Sequence, residues 1–246
     1  MNCDRLSGQT ILITGAAQGQ GAAHARRLAS EGAKVVLTDI EDSTVARLAS
    51  EIDPTGQHAL GLALDVGSEE AWTRAVQRTV EAFGGLNGLV NNAGISSPPG
   101  LEDWDAEKWA QVTRINQTGV LLGMNSVLPS LKAGGGSIVN ISSIWAHTGG
   151  EGRSIGYVAS KASVLGMTKA AALELAPYGI RVNSVSPGYI DHLMVGSRGN
   201  PPADGIPLGR LANAGEISGA VAFLLSSDAS YVTGVDILVD GGMHLG

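Results

Sequence analysis

Cysteine is almost absent: among 246 residues only Cys3 is one, so no internal disulfide can form and a reducing cytoplasm is the expected setting. Basic clusters are missing too. The chain carries 16 Lys and Arg against 23 Asp and Glu, for a net charge of −7, and no basic run exceeds the pair Arg26-Arg27. Nothing offers an electrostatic footprint for a phosphate backbone, and nucleic acid is not an expected partner. No apolar run approaches the ~18 residues of a membrane span, and the first residues lack the apolar core of a secretory leader, so a soluble chain with no membrane contact is expected. There is no internal repeat and no compositional break, which leaves residues 1–246 as one domain.

Glycine is abundant instead. Its 35 residues are dispersed among apolar segments rather than gathered in linkers, and a hydrophobic fraction of 43% is ample for a buried core. Short apolar runs at 10–13, 34–39, 59–64, 86–90, 137–143, 181–186 and 237–239 alternate with helical periods at 22–30, 68–83, 103–131, 154–176 and 214–225. Ser68 has the character of an N-cap, with acids in the turn after it. In 103–131 the apolar positions include Trp104, Trp109, Val112 and Ile115, with Asn116 as a polar residue in mid-helix. This alternation predicts a Rossmann-like, doubly wound parallel α/β sheet of seven strands with helices on both faces. In such sheets ligands bind beyond the carboxyl ends of the strands, where the strand order reverses. The irregular, Pro- and Gly-containing stretch 189–213 is the expected substrate loop.

Three stretches at strand ends point to a dinucleotide. The first run flows into Thr14-Gly15-Ala16-Ala17-Gln18-Gly19-Gln20-Gly21 and then a helix, an arrangement that lets the backbone approach a pyrophosphate and leaves helix N-terminal amides free. The second run ends in Asp39, which can accept from ribose hydroxyls and repels a 2′-phosphate; neither Gln18 nor Ile40 is basic, so NAD is favoured over NADP. The alternative for Asp39 is a cap on the following helix. The fourth run closes on Asn91-Asn92-Ala93-Gly94, either a loop of left-handed positions or a brace for the cofactor crevice.

The reactive chemistry centres on Ser154-Ile155-Gly156-Tyr157-Val158-Ala159-Ser160-Lys161-Ala162. A helix places Tyr157 and Lys161 on one face, one turn apart. A phenol titrates near pH ~10, so ionising it near neutrality takes roughly 3 to 4 kcal/mol. An ammonium about 4 Å away supplies on the order of 4 kcal/mol at a moderate effective dielectric. His147 and Glu151 are four apart, but they lie in a Gly-rich stretch with no third ligand in view, so no metal is expected.

Taken in order, Thr14 to Gly21, Asp65-Val66, Asn91 to Gly94, Asn116, Ser143, Tyr157-Val158-Ala159-Ser160-Lys161 and Pro187-Gly188 resemble the short-chain dehydrogenase/reductase family over nearly the whole chain. The resemblance implies a nicotinamide cofactor, a catalytic tetrad of Asn116, Ser143, Tyr157 and Lys161, and an oligomer, commonly a homotetramer. It further implies pyrophosphate on Gly15, Gln18, Gly19, Gln20 and Gly21, adenine near Asp65 and Val66, contacts from Asn92, Ala93 and Gly94, and nicotinamide near Pro187, Gly188 and Ile190. Gln20 replaces the usual apolar residue, and His192 stands where many relatives have a threonine, as either a nicotinamide or substrate contact or a solvated histidine. Trp145, Tyr189, Leu193 and Met194, with Ser143 and Tyr157, are the expected substrate contacts. The expected activity is NAD(H)-dependent interconversion of a small to medium, largely apolar secondary alcohol and its ketone. A 3-oxoacyl-thioester reductase is the alternative in the same family, disfavoured by Asp39 because those enzymes usually prefer NADPH. A catalytically silent dinucleotide-binding regulator is the alternative in another class, disfavoured by the intact tetrad.

Overall fold

Strands buried on both faces read as continuous apolar runs, and β1 (Thr10–Thr14) is buried at every position. A computed structural model describes residues 4–96, 100–149, 154–191 and 203–245. Beside β1 stand β2 (Lys34–Asp39), β3 (Ala59–Ala63), β4 (Gly88–Asn91), β5 (Gly136–Ile141), β6 (Ile180–Pro187) and β7 (Asp236–Val239). They form one sheet in the order β3-β2-β1-β4-β5-β6-β7, every pairing parallel. The order reverses between β1 and β4, and it is beyond the carboxyl ends at such a reversal that sheets of this kind bind ligands.

Successive side chains of a strand face opposite sides, so Ile11 and Ile13 enter one core while Leu12 enters the other. The first core lies under α1 (Gly19–Ser30), α2 (Asp42–Ile52) and α8 (Ala214–Leu225); the second lies under α3 (Glu69–Phe83), α5 (Gly119–Gly134) and α7 (Ile155–Leu175). Ser68 caps α3, accepting from the Ala71 amide at 3.2 Å. The dispersed glycines also find a use: each of the seven strands is preceded, within four residues, by a glycine of positive φ.

The stretch 103–131 is not one helix. Trp104 is extended, and Asp105 caps a short α4 (Ala106–Thr113) by accepting from the Lys108 amide at 2.8 Å. A π turn (Arg114–Thr118) then joins α4 to α5. Nor is Asp39 the helix cap, because the residue flanking α2 is Glu41. Among the described residues no helix is long and apolar enough to cross a membrane.

Candidate active site

Thr14 ends β1 with its hydroxyl beneath the glycine loop. Its Oγ1 accepts from the amides of Asn92 and Ala93, both at 3.0 Å, while Asn92 Nδ2 donates to the carbonyls of Thr14 at 2.9 Å and Gly15 at 3.1 Å. The stretch after β4 is therefore stitched to the loop after β1. Two glycines are required by this closeness. A Cβ on Gly15 would stand 2.8 Å from Ala93 Cα, and one on Gly21 would stand 2.1 Å from the Gly15 carbonyl oxygen. Gln18 flanks α1 in extended conformation, and the first turn, Gly19, Gln20 and Gly21, contains no acidic residue. Free amides at a helix N-terminus suit a diphosphate. Gln20 Oε1 is buried here with no partner among the described residues. Asp39 Oδ2 accepts from the Ala17 amide at 3.1 Å, and its Oδ1 accepts from the Glu41 amide at 3.3 Å, so the carboxylate braces the loop from the end of β2.

Asp65 follows β3 and accepts from the Gly67 amide at 2.9 Å. Its two oxygens also take both arms of Arg114, at 3.0 and 2.8 Å. Sequence reasoning missed Arg114, which stands 49 positions away with no local signal to join it to Asp65. Val66 is buried, and its side chain leaves room only for glycine at 119.

The four candidate catalytic residues come from three places: the π turn, the end of β5, which leads to Ser143, and α7, which carries both Tyr157 and Lys161. The π turn carries Asn116 fully buried, its Oδ1 accepting from the Ile95 amide at 2.8 Å and its Nδ2 donating to the Ile95 carbonyl at 3.0 Å and Ser160 Oγ at 3.1 Å. π turns recur at functional sites because they aim side chains a regular helix would not. Lys161 is buried, its Nζ donating to the Ile141 carbonyl at 2.8 Å, and burial pushes its pKa down from the usual 10.5 to about 8. A Cβ on Gly94 would lie 3.4 Å from both Asn116 Oδ1 and Lys161 Nζ, so these two groups meet over that glycine. One turn before Lys161, the Tyr157 ring has its centroid 5.8 Å from Nζ. Ser142 Oγ donates to the Lys161 carbonyl at 2.8 Å, fastening α7 to the end of β5, and Ser143, also buried, accepts from the Trp145 amide at 3.3 Å.

An aromatic pair follows Ser143. Trp145 opens the four-residue α6 (Trp145–Thr148), and its ring meets that of Tyr189 edge-on at 5.5 Å and 68°. The Ile144 amide donates to the Pro187 carbonyl at 3.0 Å, and Gly188 packs on Asp240, where a Cβ would stand 2.8 Å from the Asp240 Cα. Ile190 pairs with Ala212 as an isolated parallel bridge. His192, Leu193 and Met194 lie outside the described residues, as does Glu151. Trp104, an apolar position by sequence pattern, covers Gly156 immediately before Tyr157: a Cβ there would stand 2.0 Å from Trp104 Cη2. Among the described residues, no three His, Cys, Asp or Glu side chains gather as a metal site. A separate concavity of about 820 Å³ lies at the other end of the sheet, lined by Asn87, Ser137, Arg181 and Tyr231 among others, and contains none of the described candidate residues.

Known proteins can be set beside this geometry. The model of a family described as enoyl-(acyl carrier protein) reductase matches residues 15–244. The 2,5-dichloro-2,5-cyclohexadiene-1,4-diol dehydrogenase LinX of Sphingobium indicum is 42% identical, with 99% of each chain covered. The trans-4-hydroxycyclohexanecarboxylate dehydrogenase of Sinomonas cyclohexanicum is 43% identical, covering 99% of this chain and 95% of that one. A crystal structure of 3-ketoacyl-(acyl-carrier-protein) reductase from Brucella melitensis complexed with NADH superposes with a TM-score of 0.91 at 36% identity, covering 97% of this chain and 99% of that one.

Proposed function

Since the chain belongs to the short-chain dehydrogenase/reductase family, we propose that it is an NAD(H)-dependent oxidoreductase that interconverts a cyclic, largely apolar secondary alcohol and its ketone. The observation that carries this reading is the meeting of Lys161 Nζ and Asn116 Oδ1 over Gly94, with the Tyr157 ring centroid 5.8 Å from that Nζ. The two dehydrogenases compared above are named for six-membered carbocyclic alcohols, and a pocket edged by Trp145 and Tyr189 suits such rings.

The residues present fit NAD. Gly15 and Gly21 let the loop pack tightly against itself and the stretch after β4, and Gln18, Gly19, Gln20 and Gly21 would present the first amides of α1 to a diphosphate. Asp39 would take the adenosine ribose, Asp65 and Val66 the adenine, Asn92, Ala93 and Gly94 the middle of the crevice, and Pro187, Gly188 and Ile190 the nicotinamide end. When bound, NAD⁺ supplies the hydride acceptor. Tyr157 then takes the alcohol proton, and in the reverse direction returns it to the carbonyl oxygen. Ser143 donates a hydrogen bond to that same oxygen. The Lys161 ammonium favours negative charge on the Tyr157 oxygen, and Asn116, held by Ile95 and Ser160, fixes the polar surroundings of the lysine through which protons reach solvent.

The outward face of α7 exposes Ile155, Ala162, Gly166, Ala170 and Leu173, an apolar stripe that a second copy would bury. This supports a homotetramer, and the lone Cys3 supports a cytoplasmic setting.

Reduction of a 3-oxoacyl thioester is the second reading, favoured by the Brucella structure. Because that reductase is complexed with NADH, Asp39 does not separate the two activities. Substrates do. Purified protein should reduce NAD⁺ with cyclohexanol far faster than it oxidises NADH with a 3-oxoacyl thioester, should prefer NAD⁺ to NADP⁺, and should lose turnover but keep NADH binding in Tyr157→Phe. A preference for the thioester, or full activity in Tyr157→Phe, overturns the assignment.

A further inference from the structure

His147 lies two residues past Trp145 on α6, and side chains two apart in a helix point about 200° from one another. While Trp145 faces Tyr189, His147 faces the sheet. Its Nε2 stands 2.8 Å from Asp236 Oδ2 and 3.4 Å from Ser186 Oγ. A carboxylate only accepts, so Nε2 carries the proton and donates it. Asp236, the first residue of β7, is largely buried, and its Oδ1 accepts from Ser184 Oγ at 2.6 Å. In the sheet Ser184 and Asp236 are register partners, so the carboxylate is fixed by β6 before the imidazole reaches it.

This matters because α6 is a single turn, too short to hold itself by its own helical bonds. Its front is tied by the Ile144 amide to Pro187 and the Trp145 amide to Ser143 Oγ, and its back leaves the helix at Gly149, whose φ is +75°. Between them, His147 fastens the turn to the edge of the sheet.

We propose that His147 is a positioning residue: through Asp236 it pins α6 so that Trp145 and Tyr189 form a rigid wall, making the pocket selective for ring-shaped secondary alcohols over open-chain ones. The inference rests on the alcohol dehydrogenase reading. A rigid flat wall suits a ring, which loses little conformational freedom on binding, whereas an open chain must be ordered against it. An unpinned wall yields to either shape, and the advantage of the ring is lost.

The test compares cyclohexanol with 2-hexanol in the wild type, His147→Ala, His147→Gln and Asp236→Ala, with NADH affinity titrated separately by fluorescence. His147→Ala should raise the KM for cyclohexanol about tenfold while kcat and NADH affinity stay within about twofold, the pattern of lost uniform binding. The KM for 2-hexanol should move by less than about threefold. His147→Gln, whose side-chain amide can donate to Asp236, should restore most of the ring preference, and Asp236→Ala should reproduce His147→Ala. An unchanged ratio of the two KM values in His147→Ala overturns the proposal, as does a joint loss of kcat and NADH affinity, or a loss that glutamine does not restore. If His147→Ala does not fold, Asp236→Ala decides by the same criteria. A wild type that binds NADH but turns over neither alcohol instead overturns the functional reading beneath it.

Discussion

Lys161 is held where its charge is least comfortable. Burial lowers its pKa to about 8, so below that pH the folded chain carries a buried ammonium. Between about pH 8 and 10.5 the unfolded chain still binds the proton that the folded chain has released, so stability rises with pH across that window as the burial penalty is relieved. The shift corresponds to about 3 kcal/mol, from which the bond to the Ile141 carbonyl subtracts about 1 kcal/mol when the side chain is replaced. Lys161→Met should therefore raise the melting temperature of the cofactor-free protein at pH 7 by roughly 4–8 °C while abolishing turnover. The gain should shrink towards pH 10.5. Calorimetry of both proteins across that range checks it, and a lower melting temperature for the variant at pH 7 would count against a buried, strained charge.

At the scale of elements, the glycine loop and the sheet crevice are one construction, joined by Thr14 and Asn92. A Cβ at Gly21 meets the Gly15 carbonyl oxygen at 2.1 Å, and backbone cannot yield cheaply. At Gly19 nothing among the described residues lies within 4 Å, and the φ of +56° is what resists a side chain. Gly21→Ala should thus weaken NADH binding at least about tenfold and cost about 1–3 kcal/mol of stability. Gly19→Ala should cost only about 1 kcal/mol. Fluorescence titration and thermal melts distinguish them, and equal effects would show that the close approach is not what demands glycine. Most of this construction is legible in the sequence, because buried parallel strands leave short apolar runs and the loops at their ends carry residues with narrow conformational uses. Tyr157 and Lys161 are legible for the same reason, since four residues on a helix fix their spacing. Arg114 and His147 are not: their partners Asp65 and Asp236 stand 49 and 89 positions away, and a long-range side-chain hydrogen bond leaves no period. The π turn is hidden as well, for the apolar pattern through Val112 and Ile115 continues across it while the hydrogen bonding changes. In sequence Asp39 reads first as a ribose acceptor and second as a helix cap, and the cap falls away only when the start of α2, flanked by Glu41, is placed.

For the whole molecule, the two faces of α7 differ in what covers them. Its inner side packs into the core through Val164, Ala172 and Leu175, while outward-facing Leu173 is 82% exposed. If four copies of the 25.1 kDa chain bury that stripe, light scattering should give about 100 kDa for the wild type and a smaller species for Leu173→Glu, since a charge buried in an apolar contact is heavily penalised. An unchanged mass in the variant would remove α7 from the interface. The strand order brings every described candidate residue to the carboxyl rim of the sheet, while the opposite rim holds the turns at Gly32, Gly84, Gly135 and Gly179 that lead into β2, β4, β5 and β6. A protein with its candidate site on one rim has a natural side by which to be mounted: coupled to a solid support through these turns, it would present that site to the solution.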